Sequence, residues 1–354
     1  MTRPDLLIFD VAHRAEPRGA IRTARGTLRP SNEVAERTAR IRSGILRATG
    51  ARARGAEISQ GTTRMLRSLL PLAHDPAYLA FLEHGSHPAV PAITPQGRVF
   101  AAPGVEQDTP VAADSPARAL TSATAAVAAA VALGRGEATH VYALCRPPGH
   151  HAGRRFFGGY CFLNNAALAA LALRRQTRAR VAVIDIDYHA ANGTTDCLAA
   201  HPDIAVFSCH APGEVAFPHQ PDLAPALPVH VFHAFDAPPD AQAYLAVVSR
   251  LVEQAVATGA GMLVLSLGYD VIDGDPHGGW HLSPEVFAGV GGILRQSGLP
   301  VCVVQEGGYL LSALEDCAAH FTKGLIGLEV DTAPDTRESG TDDGRHAKPA
   351  GALS

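Results

Sequence analysis

Four short apolar runs constrain the fold most: HVYALC (140–145), VAVIDI (181–186), MLVLSL (262–267) and VCVVQ (301–305). Together they are rich in β-branched residues, VAVIDI and VCVVQ most of all, and each is mainly apolar rather than alternating, the pattern of a strand covered on both faces. Helical periodicity fills the intervals, as in DAQAYLAVVSRLVEQAVATG (240–259) and SPEVFAGVGGILRQSG (283–298), the latter with Ser283 as cap and Pro284 in the first turn. Upstream, SNEVAERTARIRSGILRATG (31–50) reads as an amphipathic helix with a Ser/Asn cap, early Glu33 and Glu36, Val34, Ile41 and Ile45 on one face, and Gly50 as stop. Buried strands alternating with helices predict one α/β domain, a parallel sheet with helices on both faces. The expected domain spans 1–330, and the polar remainder, 331–354, is expected to be disordered.

All four runs lead directly into polar residues. HVYALC is followed by RPPGHHAG with His150 and His151, VAVIDI by Asp187 and His189, MLVLSL by GYD with Asp270, and VCVVQ by EGGY with Tyr309. The carboxyl ends of such strands are where ligands bind. Asp185, Asp187 and His189 alternate, so the spacing predicts that they share one face of a strand. Asp187 and His189 can then meet one metal ion, with Asp270 from another strand end as third ligand and one position left open, the arrangement of a catalytic zinc. Two carboxylates and one imidazole form a harder set than most zinc sites, so Fe2+ or Co2+ fits as well. Asp185 is assigned a supporting role around this ion or a monovalent cation. Taken alone, each piece is more often structural. Together, metal ligands, paired imidazoles and a Tyr hydroxyl on a Gly-flexible loop are the parts of metal-assisted amide hydrolysis.

The formal charge of -4 speaks against a nucleic-acid partner. The early arginines Arg14, Arg18, Arg22, Arg25 and Arg29 read as a solvated face, since Asp5, Asp10 and Glu16 interrupt them. No apolar secretory segment follows the N-terminus, and the Ala-rich run 117–134 reads as a packed helix rather than a membrane span, so a cytoplasmic protein without a membrane partner is expected. The six cysteines lack CxxC spacing and read as small core residues.

RPPGHHAG, FGGYCFLNNAALAA, VIDIDYHAANGT, SLGYDVIDGDP and QEGGY resemble the histone-deacetylase-like superfamily of zinc amidohydrolases, and HDPAYLAFLE (74–83) and VAFPHQ (215–220) resemble its bacterial acetylpolyamine amidohydrolases. The resemblance runs from about residue 5 to 327. It implies the arginase/deacetylase-like fold and hydrolysis of an N-acetyl amide on a small linear amine, by metal-activated water with a His dyad and a Tyr oxyanion stabiliser. Asp187, His189 and Asp270 match the metal ligands, His151 the general base that then protonates the leaving amine, His150 its electrostatic partner, and Tyr309 the polarising hydroxyl. Asp185 and Asn192 match partners of the two histidines, Ser208 with Asp185 a structural K+ site, and Gly159, Tyr160 and Phe217 a substrate tunnel. A homodimer belongs to the same expectation. The chain departs from the family pattern at Ala190-Ala191, where His-Gly is usual, losing an imidazole near the ion and a glycine's backbone freedom. Glu106 and Asp108 are the candidates for reading the amine. The alternatives are an acetyl-lysine protein deacetylase, an amidohydrolase of another small acylated compound, a two-manganese ureohydrolase disfavoured by the Asp270/Asp273 spacing, and a binder without turnover.

Overall fold

The computed structural model describes residues 5–10, 20–22, 28–84, 109 and 114–328. Its strands are β1 (Leu6–Asp10), β2 (Ala20–Arg22), β3 (Leu28–Pro30), β4 (Ala53–Gly55), β5 (His140–Leu144), β6 (Val181–Asp185), β7 (Ile204–His210), β8 (His230–Ala234), β9 (Met262–Leu267) and β10 (Val301–Gln305). Eight of them form one sheet in the order β4-β1-β5-β10-β9-β6-β7-β8, and every pairing in it is parallel. The four runs singled out above are its centre, β5-β10-β9-β6, where both faces are covered and side chains of either parity must be apolar.

The helices are α1 (Ala35–Thr49), α2 (Gln60–Ala73), α3 (Pro76–His84), α4 (Ser115–Gly134), α5 (Asn165–Thr177), α6 (Asn192–Cys197), α7 (Ala241–Ala257), α8 (Val286–Gln296) and α9 (Leu311–Ile326). One core joins the sheet to Ile41 and Ile45 of α1, Tyr244 of α7, Phe287 of α8 and Phe321 of α9; the other joins it to Leu66 and Leu69 of α2 and the alanine-rich faces of α4 and α5. Small residues on α4 and α5 let both helices lie close to the strands. Helix α4 is long and apolar enough to cross a membrane, yet 72% of its most apolar window is buried within the fold. All six cysteines are free and buried.

Two helix starts differ from expectation. Helix α1 begins at Ala35 with Val34 as an N-cap lacking a side-chain bond, because Ser31 Oγ instead accepts the Glu33 N–H in the preceding turn. Helix α8 begins at Val286, since Ser283 and Pro284 form a separate turn whose carbonyls accept the Val286 and Phe287 amides. The segment 331–354 and most of the long interval before α4 lie outside the described residues, as do Glu106 and Asp108.

His74, fully buried at the end of α2, ties this layer to the strand-end loops. Its Nδ1 is 2.8 Å from the Gly153 carbonyl and its Nε2 is 3.0 Å from the Asn164 amide, so Nδ1–H donates and Nε2 accepts. Burial, only partly offset by the Gly153 carbonyl, pushes its pKa down to about 4. An unfolded histidine takes a proton near pH 6.5, so the folded state binds fewer protons between that pH and about 4. The contribution is intact above pH 6.5 and shrinks as pH falls, by about 2 kcal/mol at pH 5. Melting curves at pH 7 and 5 are expected to show a smaller acid-induced drop in His74→Gln than in the parent; equal drops would refute the assignment.

Candidate active site

Strand β6 ends at Asp185, so the three alternating residues do not share a strand face as the spacing predicted. They converge through a turn instead. Asp185 Oδ1 accepts the Asp187 amide at 3.2 Å and Asp187 Oδ1 accepts the His189 amide at 2.9 Å, each carboxylate holding the backbone two residues on and ending the ladder. Asp187, His189 and Asp270 nonetheless come together, their candidate ligand atoms within 4.8 Å of one another. His189 Nδ1 lies 3.0 Å from Asp187 Oδ1 and 3.2 Å from Asp270 Oδ2. Both aspartates are fully buried, and Asp270 Oδ2 receives no hydrogen bond despite that proximity, which leaves an orphaned acceptor aimed at the cluster. The backbone is cut away around it: a Cβ on Gly268 would stand 2.3 Å from Asp187 Oδ2, and one on Gly307 2.3 Å from Asp270 Oδ2. Two anionic oxygens and an imidazole in a dry cradle fit a divalent cation.

The two adjacent histidines are set in opposite electrostatic states. His150 Nδ1 is 3.2 Å from Asp185 Oδ2 and its Nε2 is 3.6 Å from Asp187 Oδ1. Burial opposes charging it, but Asp187 and then Asp185 outweigh burial and raise it to about 10. His151 Nδ1 is 2.6 Å from Asn192 Oδ1, so Nδ1–H donates and Nε2 keeps its lone pair. Burial, then the cations expected at His150 and His189, hold His151 well below the usual imidazole range. The rings are 4.0 Å apart. The two environments thus push the adjacent imidazoles toward opposite protonation states.

A cavity of about 70 Å³ joins these groups, walled by Pro148, Gly159, Tyr160, Phe217, His277 and Tyr309. Phe217 meets His151 edge-on at 4.6 Å. Gly159 has φ +51° and a Cβ there would fall 2.4 Å from His151 Cδ2, so only glycine fits. The Tyr309 ring sits 5.6 Å from that of Tyr160 and 4.6 Å from that of His277. Ser208 pairs in register with Asp185 across β6 and β7, and its Oγ accepts the Ala191 amide at 3.4 Å. Ala191 has φ -74°, which any residue adopts, so this chain does not need a glycine's freedom there. Asp273 pairs with His281 at 2.6 Å on the surface, apart from the cluster.

The histone deacetylase domain profile matches residues 31–325. The chain belongs to the histone deacetylase domain family. Its curated relatives include acetylpolyamine amidohydrolases from Burkholderia pseudomallei (33% identical over 332 residues, 86% of this chain and 94% of that one) and Mycoplana ramosa (32% over 215 residues, 59% and 63%). The alignment thus takes in less than two thirds of the Mycoplana ramosa protein but nearly all of the Burkholderia one. The crystal structure of acetylpolyamine aminohydrolase from Burkholderia pseudomallei superposes with a TM-score of 0.77 at 30% identity, covering 91% of this chain and 99% of that one. The parallel eight-stranded sheet is therefore the arginase/deacetylase-like fold, and the chain is a histone deacetylase family enzyme of the deacetylase and amidohydrolase kind.

Sequence reasoning missed four residues of this deacetylase-family site. His277 and Asp275 follow Asp270 closely, and Glu306 stands inside the quoted QEGGY, where its carboxylate accepts the Gly149 and His150 amides at 2.6 and 3.1 Å. Arg37 lies on α1 and carried no signal. It donates to the Glu306 and Gly308 carbonyls, both at 2.6 Å, and lies 4.3 Å from the centre of the Tyr309 ring.

Proposed function

We propose that the chain hydrolyses the N-acetyl amide of a small linear amine of the acetylpolyamine class. One observation carries this reading: a neutral and a cationic histidine, a three-residue cation cradle and a buried phenol open on one narrow cavity. Its small volume and aromatic walls suit an unbranched chain. Asp187, His189 and Asp270 would hold one divalent ion, zinc by family resemblance, with Fe2+ or Co2+ compatible with the same donors. Such an ion supplies Lewis acidity toward an amide carbonyl and lowers the pKa of water.

The protein's own groups do the rest. His151, with Nε2 unprotonated and its other nitrogen held by Asn192, accepts a proton and returns it to the departing amine. His150, anchored by Asp185, stays cationic beside it and offsets developing negative charge. Burial raises the Tyr309 phenol well above its ordinary value, against the pull of Arg37, so its hydroxyl remains a donor for the carbonyl oxygen. Gly159, Tyr160 and Phe217 guide the chain of the substrate. Asp185 and Ser208 form the K+ site of this reading, residues 1–330 its catalytic unit, and a homodimer its assembly.

The test is acetate release by zinc-loaded protein from acetylputrescine, acetylspermidine and an acetyl-lysine peptide. The expected result is turnover of the small amines at kcat/KM at least about tenfold above the peptide, a difference of about 1.4 kcal/mol in transition-state binding. Preference for the peptide would move the protein to acetyl-lysine chemistry, and no turnover of any of the three would refute the reading.

A further inference from the structure

Tyr309 is carried by a short segment, 306–310, that contains two glycines, one of them at φ +109°. A segment of that composition is free to move unless something holds it. Here its backbone is gripped. The Gly307 amide donates to Asp187 Oδ2 at 2.8 Å, and the Gly307 carbonyl accepts from the Tyr269 amide and Gln305 Nε2, each at 3.0 Å. Arg37 takes two carbonyls, as described above. The amides of Tyr309 and Leu310 both end on one oxygen, Asp275 Oδ2, at 2.6 and 3.0 Å. The other oxygen of that carboxylate accepts the His277 amide at 2.9 Å. One side chain, 6% exposed, therefore holds the backbone of two residues whose rings touch across the cavity.

We propose that Asp275 is a positioning residue for the reaction: its carboxylate fixes where the Tyr309 hydroxyl points. The inference rests on the role given to Tyr309 above. Tyrosine is a long rigid arm, so a small rotation at its Cα displaces the hydroxyl by much more. Without Asp275 the buried Tyr309 amide and the half-buried Leu310 amide lose their acceptor, and the peptide beside Gly308 turns to find another. A misplacement of about 1 Å in a reacting group costs about 10²-fold in rate. Sequence proximity to Asp270 does not account for the arrangement, because the amides held belong to a loop 34 and 35 residues away.

A double-mutant cycle separates positioning from general support of the fold, because residues acting through one group are not additive. In the zinc-loaded full chain, Tyr309→Phe is expected to lower kcat by about 10²-fold or more. Asp275→Ala should lower kcat by about 10- to 100-fold with KM within about threefold of the parent. In the Tyr309→Phe background, Asp275→Ala should lower kcat by less than about threefold. Asp275→Asn, which keeps an acceptor for the two amides, should recover most of the rate. If Asp275→Ala melts below the assay temperature, Asp275→Ser, too short to reach both amides, takes its place. The inference is overturned if Asp275→Ala leaves kcat unchanged, or if its penalty multiplies in full on top of Tyr309→Phe. Unchanged activity in Tyr309→Phe would overturn the functional reading itself, and this inference with it.

Discussion

Replacing His151 with alanine is expected to lower kcat for acetamide hydrolysis by about 10²- to 10⁴-fold, the range for a positioned general acid/base. KM should change far less, because the proposed role of His151 is proton transfer rather than substrate binding. Its environment makes the prediction specific. Nδ1 is committed to Asn192, which leaves a single nitrogen for proton transfer, and His150 4.0 Å away carries the positive charge. His150 is the poorer base of the two, since the Asp187 and Asp185 carboxylates beside it favour its protonated form. Asn192→Leu should reproduce part of the loss by freeing the His151 tautomer. Metal content and melting temperature should match the parent in His151→Ala; a kcat within threefold of the parent would remove His151 from the mechanism.

How far the site was legible depended on how its residues communicate. Asp187, His189, Asp270 and the two adjacent histidines could be read because each follows an apolar strand within a few positions, and the parallel sheet brings strand ends together. Strands β4 and β8 gave little signal, since edge strands are short or part-exposed and do not demand the apolar run of a central strand. Arg37 carried no signal, and the part played by Asp275, although it stands within SLGYDVIDGDP, was unreadable, for another reason. They act on backbone carbonyls and amides, which every residue possesses, and Arg37 does so across 271 positions. No pattern of side-chain types reports such contacts. At the Tyr309 loop, expected to be Gly-flexible, the sequence likewise did not show that the two glycines stand in close approach to Asp187, Asp270 and Tyr269, or that backbone amides of the loop end on Asp187 and Asp275. Ala191 illustrates the converse, a departure in sequence that the backbone absorbs at a negative φ open to any residue.

Removing the proposed divalent ion should abolish activity and also destabilise the fold, and the second effect is the sharper test. Asp187 and Asp270 are buried together; burial and the neighbouring Asp187 charge push Asp270 up to about 7, while His150 and His189 draw Asp187 well below the carboxylate range. A cation in their midst replaces protons as the compensating charge, so uptake should release protons and weaken as pH falls. Binding to the folded state alone stabilises by RT ln(1 + [ion]/Kd), about 4 kcal/mol at a thousandfold excess over Kd. Zinc is therefore expected to raise the melting temperature of chelator-treated protein, and elemental analysis should find one equivalent per chain. Asp270→Ala should lose both responses. Gly307→Ala should lose them too, although it removes no ligand, because its Cβ would stand 2.3 Å from Asp270 Oδ2 and 2.5 Å from Asp187 Oδ2 and force the carboxylates apart. Two equivalents per chain would favour the ureohydrolase-like alternative, with a second ion held by residues other than the surface-paired Asp273. Full metal content in Asp270→Ala would mean that the ion sits elsewhere, and that the orphaned oxygen of Asp270 is not its ligand.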